Sequence, residues 1–130
     1  MTARAVLAGR RILVVDGDYF VAHCLADDLR RAGADVLGPV GTAAEALRLI
    51  EAGPLDGAML DADLPGVAAH PVADALAGRA VPFVFVTGRP AVPMPERHAA
   101  VPRHDKLVDV ERLGADLSAD RRAAQPPRVR

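Results

Sequence analysis

Aromatic residues make up only 3% of this 130-residue chain, and cysteine occurs once, at Cys24. So few rings leave no stacking platform of the kind that holds single-stranded nucleic acid. A lone cysteine excludes an intramolecular disulfide. No secretory signal is visible either, since Ala5-Val6-Leu7-Ala8 is too short for one and Arg10-Arg11 interrupts it. No apolar run approaches the ~20 residues that a membrane span needs. The net charge of −1 offers no field to draw nucleic acid or a membrane surface. These absences predict a soluble domain of the reducing cytoplasm, with neither nucleic acid nor membrane as partner. What the chain does have is apolar material, 51% of it, enough at this length for one core and not two.

Short apolar runs alternate with amphipathic stretches. Residues 1–10 read as a flexible N-terminal arm. Ile12-Leu13-Val14-Val15 lacks polar alternation, the mark of a strand buried on both faces, and ends in Asp16-Gly17-Asp18. From Tyr19 to Ala32 the period changes, with Val21, Leu25 and Leu29 four apart, and Gly33 stops this helix. Cys24 lies between core positions and is expected to be a small buried hydrophobe. Asp35-Val36-Leu37-Gly38 reads as a second strand. Thr42 and Glu45 form a capping box that opens a helix with Ala46, Leu47 and Ile50 inward, closed by Gly53-Pro54.

A third buried strand, Ala58-Met59-Leu60-Asp61, is halted by Pro65-Gly66. Pro71 suits the first turn of a short helix reaching Leu76, and Val81 to Val86 is a fourth strand closed by Thr87-Gly88. Three prolines, at 90, 93 and 95, then forbid a long helix, leaving room for a short one from Pro95 to Ala100. Ala100-Val101 is the candidate fifth strand, and Val110, Leu113 and Leu117 mark a last helix over 108–117. Residues 119–130, with Pro126-Pro127 and four arginines, read as a disordered tail. Five alternations with connections too long for hairpins imply right-handed crossovers and a parallel sheet covered on both faces.

In such a sheet Asp16, Asp61 and Thr87 open on one edge, with Lys106 just past the fifth strand. Crowded carboxylates repel one another, and a hard divalent cation removes that penalty. Mg²⁺ accepts carboxylate and carbonyl oxygens and keeps waters for a phosphate to displace. A hydroxyl and an ammonium beside it suit the equatorial oxygens of a phosphoryl group, and an aspartate can be the nucleophile. The residue types therefore select phosphoryl transfer to a carboxylate. His23, His70, His98 and His104 show no ligand spacing and are expected at surface or cap positions.

Ile-Leu-Val-Val-Asp16, Met-Leu-Asp61-x-Asp-Leu-Pro65-Gly66, Phe-Val-Thr87-Gly and Lys106, in that order, resemble the signature set of the response-regulator receiver domain over residues 11–118. Gly38-Pro39 and the span from Pro71 to Gly88 further resemble a subgroup of bacterial stand-alone receivers. The resemblance implies an α/β, flavodoxin-like (βα)5 fold with a five-stranded parallel sheet in order 2-1-3-4-5. It implies Asp61 as phosphoacceptor from a histidine kinase or phosphotransfer protein, and Thr87 and Lys106 on the phosphoryl group. Mg²⁺ would sit on Asp16, Asp61 and the backbone carbonyl of Asp63, unless Asp63 merely caps its turn. Targets or a second copy would use the face built from residues 89–117.

Three positions depart from the family pattern. Gly17 replaces an acidic metal ligand, a loss expected to weaken Mg²⁺ roughly 10–100-fold. Asp18 could swing in to replace it or could serve as N-cap of the first helix. Leu107 replaces a proline that usually follows a cis bond; a cis bond before leucine costs about 3 kcal/mol, so a trans bond and a displaced Lys106 are expected. Arg103 stands at the switch-aromatic position. The leading expectation is a single-domain response regulator without an output domain, not an enzyme beyond slow self-dephosphorylation. The alternatives are a pseudo-receiver that binds partners without phosphorylation and a haloacid-dehalogenase-like phosphatase using Asp16 in the motif Asp16-x-Asp18.

Overall fold

In a computed structural model, residues 7–65, 68–88, 94–106 and 112–117 are described. The elements run β1 (Arg11–Val15), α1 (Tyr19–Arg31), β2 (Asp35–Val40), α2 (Ala43–Ala52), β3 (Gly57–Asp61), α3 (Ala69–Gly78) and β4 (Phe83–Thr87). A 3-10 turn (Glu96–His98), β5 (Arg103–Asp105) and a helix seen over residues 112–117, here α4, follow. All strand pairs are parallel and the sheet order is β2-β1-β3-β4-β5. The parallel sheet is the one expected from the alternation of runs, and its flavodoxin-like order is the one that the resemblance implied. No helix among the described residues is long and apolar enough to cross a membrane.

Strand alternation divides the core into two layers. Leu13 and Val15, Ala58 and Leu60, and Phe83 and Phe85 point to one side, against Ala46 and Ile50 of α2 and Val72, Ala73 and Leu76 of α3. Ile12 and Val14, Met59, and Val84 and Val86 point to the other, against Leu25 and Leu29 of α1 and Leu113 and Leu117 of α4. With both faces covered, polar alternation would bury unpaired groups, which is why β1, β3 and β4 read as continuous apolar runs.

Local chemistry starts the helices as anticipated. Asp18 caps α1, its carboxylate accepting from the Val21 amide at 3.1 Å. Thr42 caps α2 by accepting from the Glu45 amide at 3.2 Å, while the Glu45 carboxylate reaches back to the Gly41 amide at 3.3 Å. Gly38 has φ +95°, and a Cβ there would meet Val40 N at 2.9 Å and Val14 O at 3.0 Å. Only glycine lets β2 turn so close to β1. The Gly38–Pro39 peptide is cis.

Several expectations are corrected. Leu7 is fully buried among the α1 and α4 contacts, and Gly9 N donates to Gly33 O at 3.1 Å, so residues 7–10 belong to the fold and not to an arm. Residues 1–6 and 119–130, where an arm and a tail were expected, lie outside the described residues. The fifth strand is Arg103–Asp105, not Ala100-Val101. An edge strand needs only one inward side chain, here His104, so a search for apolar runs passes over it. Cys24 is exposed, because it falls on the helix face opposite Ala22, Leu25, Ala26 and Leu29. His98 and His104 are buried rather than superficial, each matched to a carboxylate: His98 Nε2 to Asp74 Oδ1 at 2.8 Å and His104 Nε2 to Asp116 Oδ2 at 2.7 Å.

Candidate functional site

The parallel register gathers the carboxyl ends of β1, β3, β4 and β5 at one edge of the sheet, where such folds hold their ligands. Asp16 follows the last residue of β1, and its amide donates to Val40 O at 2.9 Å. Asp61 and Thr87 are the final residues of β3 and β4, and Lys106 follows β5. Pairing of Thr87 with Asp105 in the β4–β5 register fixes where Lys106 begins.

Two buried carboxylates face one ammonium. Lys106 Nζ stands 3.3 Å from Asp16 Oδ1 and 3.4 Å from Asp61 Oδ1, while Asp16 and Asp61 are only 2% and 3% exposed. Backbone amides orient the acids. Asp61 Oδ1 accepts from the Asp63 amide at 2.7 Å and Oδ2 from the Gly17 amide at 3.2 Å; Asp16 Oδ1 accepts from the Asp18 amide at 2.8 Å. Asp16 Oδ2 is buried with no hydrogen-bond partner among the described residues. Burial, reinforced by the Asp61 charge, pushes the Asp16 carboxyl up to about 6, against the opposing pull of the Asp18 amide and Lys106. For Lys106, burial works against the charge, yet Asp61 and Asp16 outweigh it and raise the ammonium above the ordinary lysine value.

Asp63 does more than sequence reading assigned it. Both its carboxylate oxygens accept from the Thr87 hydroxyl at 3.3 Å, and Oδ2 accepts from the Gly88 amide at 3.0 Å. The tight turn after β3 sends its amide to Asp61 and its side chain towards the end of β4. Asp-x-Asp spacing brings two acids close, but which way the second points depends on β4, a neighbour only in space.

Against known proteins, no family model and no curated protein matches the chain. Solved structures do. SdrG from Sphingomonas melonis Fr1 is 35% identical, with a TM-score of 0.72 over 92% of this chain and 98% of its own. The BeF3-activated conformation of SdrG, from Pseudomonas melonis Fr1, is 37% identical over 78% of this chain and 87% of its own, with a TM-score of 0.67. A response regulator from Burkholderia pseudomallei, solved with a phosphorylated aspartic acid, calcium and citrate, is 23% identical over 89% of this chain and 71% of its own (TM-score 0.70). The receiver domain of the histidine kinase CKI1 from Arabidopsis thaliana, complexed with Mg²⁺ and BeF3⁻, is 20% identical over 90% and 95%, at a TM-score of 0.71. This chain belongs to the response-regulator receiver family.

In this receiver the expected site residues converge. Asp16, Asp61 and Lys106 meet directly, and Thr87 joins them through Asp63. The expectation of a displaced Lys106 is corrected: β5 delivers it to both acids, while Leu107, with the trans bond expected before it, lies outside the described residues. Asp18 caps α1 with the carboxylate that was the alternative metal ligand. Among the described residues no group of three or more His, Cys, Asp or Glu side chains is placed to hold a metal ion. Asp16 and Asp61 are the carboxylates that would face a cation at this receiver's notch. The unpartnered Asp16 Oδ2 fits that role, being a buried acceptor with capacity to spare. Family membership removes the haloacid-dehalogenase-like reading, and Arg103, at the switch position, is exposed.

A second cluster of the receiver sits on the α3 side of the sheet, against Phe83 and Phe85. Arg97 makes a two-pronged pair with Asp74 at 2.8 and 3.0 Å, and the buried His98 ring meets Phe83 and Phe85 edge-on at 6.0 and 6.4 Å. This pins the 3-10 turn to α3 and β4. The pattern of prolines gave no hint of it.

Proposed function

We propose that this receiver is a signalling phosphoacceptor, taking a phosphoryl group on Asp61 from a histidine kinase or phosphotransfer protein, and not an enzyme acting on an external substrate. The observation that carries it is the setting of Asp61: a buried carboxylate at a central strand end, each oxygen held by an amide, with the Lys106 ammonium 3.4 Å away. Support comes from the relatives, one solved with a phosphorylated aspartic acid and another in a BeF3-activated conformation.

In the transfer, an Asp61 oxygen forms a bond to phosphorus as the bond from phosphorus to the donor nitrogen breaks, and the electron pair leaves on the donor imidazole. Lys106 Nζ, poised between the two acids, donates to the incoming phosphoryl oxygens, and the Thr87 hydroxyl does so once it turns from Asp63. Asp16, Asp61 and the Asp63 carbonyl would hold Mg²⁺, which neutralises phosphoryl charge when bound. We place the protein in the cytoplasm, where the free, exposed Cys24 stays reduced.

The test is incubation with acetyl phosphate and Mg²⁺ followed by intact-mass spectrometry. One added phosphate is expected on the wild type and none on Asp61→Asn. A pseudo-receiver that works by binding alone is the second reading, favoured by the carboxylate missing at Gly17. It takes over if neither phosphate nor beryllofluoride binds the wild type.

A further inference from the structure

The Thr87 hydroxyl and the Gly88 amide converge on one point, and that point is occupied by the chain itself. Asp63 places both carboxylate oxygens 3.3 Å from Thr87 Oγ1 and Oδ2 3.0 Å from Gly88 N. A hydroxyl and an amide aimed at the same spot form a cradle for anionic oxygens. The cradle borders the Lys106 side chain: a Cβ on Gly88 would lie 3.9 Å from both Asp63 Oδ2 and Lys106 Cδ. It also borders the nucleophile, because the amide of the same Asp63 donates to Asp61 Oδ1 at 2.7 Å.

We propose that the Asp63 carboxylate is a resident surrogate anion, filling the donors that a phosphoryl group on Asp61 would otherwise use, and that it restrains phosphorylation until it leaves them. The inference rests on Asp61 being the phosphoacceptor. Two physical effects act in one direction. The donors are already satisfied, so a phosphoryl oxygen gains them only by displacing an acceptor of like charge. The displaced carboxylate also stays next to a centre that becomes more negative as the phosphoryl group arrives. Asp63 is half-buried, unlike Asp16 and Asp61, so its side chain can move to solvent without crossing the core. A plain turn cap makes the opposite demand, since its loss would loosen the Asp61 loop and slow transfer.

The test measures the initial rate of phosphate gain from acetyl phosphate and Mg²⁺ by intact mass. Asp61 gains the phosphorus and acetate leaves with the electrons of the broken P–O bond. Wild type is compared with Asp63→Asn, which keeps shape and loses charge, and with Asp63→Ala. Removing one like charge beside the reacting anion is expected to raise the rate roughly tenfold in Asp63→Ala, with Asp63→Asn between. Beryllofluoride should bind correspondingly tighter. In a Thr87→Ala background the gain should shrink, since the hydroxyl part of the restraint is gone while the Gly88 contact and the charge beside Asp61 remain. Phosphorylation of Asp63→Ala beside a silent wild type also supports the restraint.

Rates in both variants equal to or below that of a phosphorylating wild type overturn it and leave Asp61 as acceptor. A gain of undiminished size without Thr87 overturns it as well. Should Asp63→Ala fail to fold, Asp63→Asn decides alone. If no form takes phosphate or beryllofluoride, the phosphoacceptor reading itself fails and takes the restraint with it.

Discussion

Lys106 holds its ammonium 3.4 Å from Asp61 Oδ1 even though Leu107 stands where receivers have proline. The pairing of Thr87 with Asp105 supplies the reason, because the β4–β5 register carries residue 106 to the sheet edge that bears both acids. Lys106 also lies 3.3 Å from Asp16, so one positive charge answers two buried negative ones. That balance governs how the notch responds to mutation, pH and metal.

Replacing Lys106 with Met keeps the side-chain length and removes the charge. Asp16 and Asp61 are then left without their shared cation, and the fold is expected to lose about 2 kcal/mol at pH 7. Millimolar Mg²⁺ should return most of that loss, because it supplies charge to the same oxygens. Urea titrations with and without Mg²⁺ check this; a loss that Mg²⁺ leaves untouched would show that no cation settles between the acids.

Gly17 leaves room for the acid it lacks. A Cβ there meets nothing closer than Leu64 Cδ2 at 3.7 Å, and it lies 4.0 Å from Asp61 Oδ2. Gly17→Asp should therefore fold and tighten Mg²⁺ binding by roughly 10–100-fold, the scale of restoring a ligand-shell group. Calorimetric titration reads the change directly, and an unaltered affinity would place the cation elsewhere.

Burial raises the Asp16 carboxyl to about 6, above its value near 3.8 in an unfolded chain. A raised acid favours the folded state while protonated. Its contribution is complete below about pH 4 and is lost as pH rises through about 6. Between those limits the shift corresponds to roughly 2–3 kcal/mol. Without divalent cations, the stability difference between Asp16→Asn and wild type should grow in favour of the variant from pH 4 to pH 7. A flat difference in paired denaturation curves would show that Asp16 stays ionised throughout.

Asp74 shows the opposite sign. Hydrogen bonds from Arg97 and then His98 hold its carboxyl down at about 2. Its stabilisation is present above the ordinary carboxylate value and fades as pH falls towards 2. Asp74→Ala should cost about 1–2 kcal/mol, mostly by stranding the buried His98 ring nitrogen. The exposed pair with Arg97 is screened by water and adds little. Hydrogen exchange at residues 96–99 should quicken in the variant while β1 and β3 keep their protection; unchanged exchange would mean that the ring contacts with Phe83 and Phe85 hold the turn unaided.

The buried strands were legible because burial on both faces demands uninterrupted apolar residues, as in Ile12 to Val15 and Ala58 to Leu60. The helices were legible because Asp18 and Thr42 cap them through contacts three residues along the chain. The edge strand Arg103–Asp105 was not, since its one inward residue, His104, owes its burial to Asp116 on another element. Cys24 was misjudged because it stands about half a turn round the helix from the face of Ala22, Leu25, Ala26 and Leu29.

The order of acids, hydroxyl and lysine along the chain was enough to predict that these side chains meet in one notch, because parallel strands with crossovers bring successive strand ends to the same edge. Where each side chain points there was decided only by the packed molecule. Asp63 points at Thr87, Lys106 spans two acids, and Asp16 keeps an oxygen unpartnered among the described residues. Those are contacts between residues distant in the chain, whose directions follow from strand register and burial, and no local pattern encodes either.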